Sequence, residues 1–207
     1  MPGEPALYDG VTDILITHKH GDHFSKDSVL RIAEKQKIRL GCDRRVAEAV
    51  GEHENIEFVL LKPLEEKKFG CFTVLPLMAN HDIAAEGDNY AFHYIITTLD
   101  GKTLFYGLDG AWFIRPSWNA MLKYKFDVSV FDCTVGDRDD WRMFEHNTIP
   151  MLRVMIKEMK AQNIIADGGK LVASHLARTL HPSHEETEKI LSAEGMITAY
   201  DGMSISF

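Results

Sequence analysis

"DILITHKHGDHFS", residues 13 to 25, places His18, His20, Asp22 and His23 within six positions. The stretch opens on "DILIT" (13–17), a continuous apolar run with β-branched residues, which is the pattern of a buried strand. Crowding imidazoles behind such a strand is unfavourable without a cation, because protonating one disfavours protonating its neighbour. Neutral imidazole, by contrast, is a common metal ligand. In extended backbone His18 and His20 point the same way and can grip one ion. Gly21 permits a turn, after which Asp22 and His23 face a second position. Ligand types at this density imply two metals more naturally than one. A polar loop with chance histidines does not explain why spacing and strand end agree.

Outward from this stretch, short apolar runs alternate with helical patterns. Ser25 is an N-cap for a helix to about Lys35, "KIRLGC" is a strand, and a short helix opens at Asp43 and stops at Gly51. From "IEFVLLK" (56–62) to "KTLFYGL" (102–108) strands dominate, with "FGCFTVLPL" and "YAFHYIITT" between them and a hairpin signal at "LDG" (99–101). "FDVSVFDCT" (126–134) is another buried strand. "HNTIPMLRVMIKEMKAQ" is the most regular helix. Ile149, Leu152, Met155 or Ile156, and Met159 recur at helical spacing, and Pro150 sits in the first turn. Its methionine stripe is core packing rather than a cofactor box. "KLVAS" is a strand, "SHEE" (183–186) a capping box, and "MITAY" with "MSISF" a strand pair around "DG" at 201–202. This order predicts one α/β domain over residues 1–207: a two-sheet sandwich with helices outside, rather than a doubly wound sheet.

A chain of 207 residues suffices for one such core. Apolar residues at 45% and charged residues at 26% match a soluble globular protein. No run approaches the roughly 18 apolar residues of a membrane span. "MPGEPALYDG" lacks a basic start and an apolar core, so no secretory signal is read and a cytoplasmic location is expected. Cys42, Cys71 and Cys133 suggest neither a disulfide framework nor a cysteine-ligated zinc. The net charge of −8 argues against nucleic-acid polymers, whose phosphates need excess Lys and Arg. The local exception, the basic stretch 31–45, reads as a solvated helix face and a turn. The expected partner is a small-molecule substrate, with no membrane and with homo-oligomer formation left open.

More ligands stand at later strand ends. His81 follows "FTVLPLMAN", Asp109 follows "KTLFYGL" and His175 follows "KLVAS". Any one alone would be an ordinary turn residue; the ordered set with the first cluster is specific.

With these residues in place, His18-Lys19-His20-Gly21-Asp22-His23 resembles the HxHxDH motif of the metallo-β-lactamase superfamily, over nearly the whole chain. The resemblance implies a four-layer αββα sandwich and a dinuclear site. By that analogy His18, His20 and His81 hold one metal, and Asp22, His23 and His175 the other. Asp109 bridges them together with a water or hydroxide. Many true β-lactamases carry cysteine where Asp109 stands, and flavodiiron proteins an acidic residue where His20 stands. Neither antibiotic hydrolysis nor oxygen reduction is therefore expected. The chain is similar to the ribonuclease Z-like and cyclic-phosphate phosphodiesterase branch, without an apparent RNA-gripping insertion. Only 17 residues precede His18, so some N-terminal strands of the first sheet are expected to be missing.

The function so implied is a dinuclear metal-dependent hydrolase of a small phosphodiester, with Asp22, Asp109 and His146 catalytic. The alternatives are a glyoxalase II-like thioester or other ester hydrolase, and a metal-binding protein without turnover. Zinc leads as the metal, with manganese or iron as the other choices. His146, just before the helix start, is either general acid or phosphate binder, against an ordinary surface histidine. Asp132 resembles the acidic residue that orients a ligand histidine. Arg178 and His181, in "SHLARTLHP", are candidate phosphate contacts. His53, His93 and His184 are read as structural or solvated, and Lys19 as pointing away from the metals.

Overall fold

The computed structural model describes residues 8–81 and 91–207. Its first sheet is parallel, in the order β1 (Asp13–Leu15), β2 (Ile38–Cys42), β3 (Ile56–Leu60). Parallel neighbours need crossovers, here α1 (Lys26–Ala33) and α2 (Arg44–Val50). The side chains of Ser25 and Asp43 accept from Ser28 N–H and Val46 N–H, so both helices start where the caps predict. Val29, Ile32, Val46 and Val50 pack with Ile14, Ile38, Leu40 and Ile56, covering one face of this sheet.

The second sheet is mixed. β4 (Lys67–Phe69), β5 (Phe72–Met78), β6 (Phe92–Thr98) and β7 (Thr103–Gly107) form an antiparallel meander. β8 (Phe126–Asp132), β9 (Ile165–Ser174) and β10 (Ile197–Thr198) extend it in parallel. Strand alternation sends Val74, Phe92 and Tyr94 inward, where they pack with Phe69, Leu15 and Val59 between the sheets. Leu75, Leu77, Ile95 and Phe105 face the other way, toward α3 (Arg115–Met121), α4 (Ile149–Ala161) and α5 (His184–Ala193). The result is the expected α/β/β/α layering. α4 buries Ile149, Leu152, Met155, Ile156 and Met159, each contributing about 1.5–3 kcal/mol, which confirms the methionine stripe as core.

The structure departs from the sequence expectations at the edges. α3 was not expected: "RPSWNAM" has no side-chain cap at Ile114, and only Pro116 marks its first turn. β9 runs well beyond "KLVAS", through Asp167-Gly168-Gly169, because a register irregularity against Phe126 and Val128 absorbs these turn-type residues. "MITAY" and "MSISF" do not pair. The "DG" turn forms, with Met203 N–H donating to the Tyr200 carbonyl at 3.1 Å. Yet β10 is two residues long, parallel to β9, and 203–207 joins neither sheet. Among the described residues the first sheet has three strands and the second seven.

Direction is what builds the site. β5 and β7 both run antiparallel to β6, and β8 and β9 run parallel to β7, so all four end at one edge. The chain leaving β1 is fastened to the same edge. Phe92 N–H donates to the Thr17 carbonyl at 3.0 Å, and the Tyr94 hydroxyl to the Ile16 carbonyl at 2.6 Å.

Candidate metal centre

His81, Asp109 and His175 follow β5, β7 and β9, and Asp132 ends β8, so the four meet the 18–23 segment at that edge. Two donor groups hold the expected residues: His18, His20, His81 and Asp109, and Asp22, His23, Asp109 and His175; a third, overlapping group is Asp109, Asp132, His146 and His175. In the first, His18 Nε2 lies 3.0 Å from His20 Nδ1, and His20 Nδ1 lies 3.1 Å from His81 Nε2. Asp109 Oδ2 is 3.4 Å from His18 Nε2 and 3.6 Å from His81 Nε2. In the second, His23 Nε2 and His175 Nε2 are 3.1 Å apart, and each is 3.6 Å from Asp22 Oδ2. Asp109 Oδ1 is 3.0 Å from His175 Nε2.

These spacings fit metals better than hydrogen bonds. A tetrahedral cation at about 2.0–2.1 Å from its ligands holds them about 3.3 Å apart, in the middle of the observed range. Each pair of facing imidazole nitrogens shares at most one proton, whereas a cation satisfies every lone pair at once. Asp109 Oδ1 is buried, and its contact with His175 Nε2 at 3.0 Å lacks the geometry of a good hydrogen bond, a condition a cation between them relieves. All the residues expected as ligands are therefore brought together, with the Asp109 carboxylate shared between the two groups.

The surroundings fix the tautomers. His18 Nδ1–H donates to Thr17 Oγ1 at 3.0 Å, and His81 Nδ1–H to the Glu145 carbonyl at 3.4 Å, leaving each Nε2 for metal. Burial pushes both imidazoles down, toward the neutral form a ligand needs. Asp109 is 2% exposed. Burial opposes its ionisation, but hydrogen bonds from His175, His18 and His23 hold it well below the usual carboxylate range. Burial also opposes charging of His175, yet the hydrogen bond and charge of Asp109 raise it to about 9. Asp109 and His175 both adopt left-handed backbone, at φ 52° and 55°, a conformation that costs a non-glycine residue about 1–3 kcal/mol. That cost is borne at the ligands themselves.

A pH dependence follows for loading. Without metal, His175 carries a proton below about 9, and metal must displace it. Affinity should therefore weaken as pH falls from 9 and strengthen as it rises toward 9. Calorimetric titration with zinc at neutral pH, in buffers of different ionisation enthalpy, should register proton release. Buffer-independent heats would refute the assignment.

Asp132 acts differently from the expectation. It accepts directly from His146 Nδ1–H at 2.6 Å, and reaches ligand His175 only through Thr134. The Thr134 hydroxyl donates to Asp132 Oδ1 and accepts from His175 Nδ1–H, both at 2.7 Å. Thr134 N–H and Gly110 N–H complete the shell of this fully buried carboxylate. His146 stacks on His175 at 5.6 Å and lies 5.0 Å from the His81 ring. Burial opposes its charging, but the hydrogen bond and charge of Asp132 raise its pKa. The loop carrying it is pinned by Ile149 N–H to Gly136 O and Val135 N–H to Asn147 O. His181 donates from Nε2 to the Cys133 carbonyl at 2.7 Å, while Arg178 and Lys19 are exposed. Thr134 was not singled out from the sequence, although its place two residues after Asp132 was the available sign.

A cleft of about 610 Å³ opens beside the second donor group, lined by Asp22, Thr134, His175, Leu176, Tyr200 and Asp201, among others. Sequence comparison agrees with this geometry: a family model described as a beta-lactamase superfamily domain matches residues 1–193. The chain belongs to the metallo-β-lactamase superfamily. Among solved structures, this superfamily member is similar to a possible metal-dependent hydrolase from Veillonella parvula. Identity is 18% and the TM-score 0.71, over 100% of this chain and 80% of that one. An isothiocyanate hydrolase from Delia radicum gut bacteria gives 17% and 0.70, with coverages of 100% and 80%. Unliganded yeast PDE1 gives 15% and 0.70, over 96% of this chain and 69% of that one. No curated protein sequence matches. At these identities the likeness shows the fold alone. Among the described residues of this metallo-β-lactamase-fold chain, no helix is long and apolar enough to cross a membrane.

Proposed function

We propose that this protein is a two-metal hydrolase of small phosphodiesters. The observation that carries the reading is the His146–Asp132 pair, 2.6 Å apart and stacked over ligand His175. When bound, the divalent cations supply Lewis acidity, activating water near neutral pH and neutralising charge on the reacting oxygens. The chain supplies the rest. Asp132 fixes the proton of His146 on Nδ1 and stabilises its charged form, so His146 exchanges its other proton through Nε2 as general acid. An alkoxide leaving from phosphorus needs such a proton, whereas a thiolate departs without one. A thioesterase, or a metal binder without turnover, has no leaving group that takes this proton; an oxygen-ester hydrolase does, and is the second reading of the same pair.

The cleft restricts the substrate. None of the described residues lining it is Lys or Arg, and Asp22 and Asp201 add negative charge. A single diester charge is met by the cations, while a polyanion finds no further partner. Leu176, Ala177 and Tyr200 offer an apolar wall for the esterified group. The imidazole-rich, carboxylate-bridged donor set suits zinc best.

Zinc-loaded protein, purified without chelator, should hydrolyse bis-p-nitrophenyl phosphate and 2′,3′-cyclic nucleotides, and turn over folded RNA poorly. A glutathione thioester should be a worse substrate than either diester. Rapid thioester cleavage with no diester turnover, in fully metallated protein, would overturn the phosphodiesterase reading.

A further inference from the structure

His93 lies on β6, one residue beyond the backbone that anchors the 18–23 segment, and faces the helix layer rather than the metals. From the sequence it reads as structural or solvated, in an alternating strand. In the fold it is 2% exposed, edge-on to Phe105 and Phe113, with ring centroids 5.7 Å and 6.4 Å away. Its Nε2 lies 3.3 Å from the main-chain carbonyl of Asp109, and its Nδ1 is buried without a partner. A carbonyl only accepts, so the proton must sit on Nε2, and the imidazole stands there as a neutral N–H donor. Burial, which pushes its pKa down to about 4, agrees.

That carbonyl belongs to the residue whose backbone is left-handed. The next residue is Gly110, and a Cβ there would overlap the His93 ring. His93 and Gly110 are therefore shaped to each other, and together they grip the strained turn on the side away from the metals. On the metal side, a small rotation of this turn would swing the Asp109 carboxylate out of line with one donor group or the other.

We infer that His93 is a positioning residue. Its Nε2–H clamps the Asp109 main chain so that the carboxylate, with Oδ2 within 3.6 Å of His18, His81 and His23 and Oδ1 3.0 Å from His175, is held between both donor groups. The inference rests on the two-metal reading of the centre and is independent of substrate.

The test compares His93→Phe, which fills the space without a donor, with His93→Gln, whose amide N–H approximates Nε2. Metal-free and zinc-loaded proteins are melted, and zinc affinity is measured by chelator competition. His93→Phe should melt no lower than wild type without metal, yet bind one of its two equivalents at least about tenfold more weakly. His93→Gln should restore most of that affinity. Should His93→Phe fail to fold, His93→Asn, whose shorter amide does not reach, is expected to show the same weakening. Wild-type affinity for both equivalents in the donor-less variants would overturn the inference. So would equal loss in His93→Gln, which would make the role one of packing. Wild-type protein that binds fewer than two equivalents would instead defeat the two-metal reading itself.

Discussion

Asp109→Asn should leave the fold in place and cut kcat/KM by on the order of a thousandfold or more. Asparagine is chosen because it tolerates the left-handed backbone that Asp109 occupies at φ 52°. A loss in this variant therefore reports charge and not strain. The amide keeps one oxygen but presents N–H₂ where the other lay, so it would lose either the contact to His175 or those to His18, His81 and His23, and would hold the cations less well. If the Lewis-acid contribution lost is about 4 kcal/mol, the rate falls about a thousandfold. Elemental analysis should show less than the wild-type zinc content. Full metal content with wild-type turnover would mean that the bridge lies elsewhere.

The second large effect concerns the proton donor. His146→Ala should slow diesters with alkoxide leaving groups by about 10²–10⁴-fold, and p-nitrophenolate esters far less, since a good leaving group needs no proton. Its zinc content should be unchanged, because His146, although it falls in a third donor group with Asp109, Asp132 and His175, is committed through Nδ1 to Asp132 at 2.6 Å. Asp132→Asn should differ. Asp132 accepts from Gly110, Thr134 and His146, and an amide turns two donors into that donor-rich shell. Through Thr134 the disturbance reaches His175, so this variant should lose zinc as well as rate. Equal loss with good and poor leaving groups in His146→Ala would reassign His146 to substrate binding.

The contrast between these residues shows what the sequence could convey. The candidate donors were legible because each is a donor type placed directly after an apolar run, and strand ends are where a sheet can hold side chains rigidly. The caps at Ser25, Asp43 and Ser183 were legible because the side chain bonds to backbone three residues on. Thr134 and His93 reach His175 and Asp109, 41 and 16 positions away, and no local pattern encodes such a contact, while Asp132 was marked only by the family resemblance. His93 was read only as structural or solvated because alternation alone gives either face of a strand. α3 escaped notice because Trp118, Asn119 and Pro116 obscure its period. The final strand pair failed because turn chemistry at "DG" fixes the reversal but not what the returning chain pairs with.

The donors also span the chain from His18, just after the first strand, to His175, just after β9, and belong to separate sheets. A cation held by both is a clasp across the seam of the sandwich. Folding must dock the sheets before the donors meet, so metal gives little help on the way in. Opening the seam, however, requires the cations to leave first. Loading should thus act on the escape rate of the native state, making the protein slow to unfold rather than quick to fold.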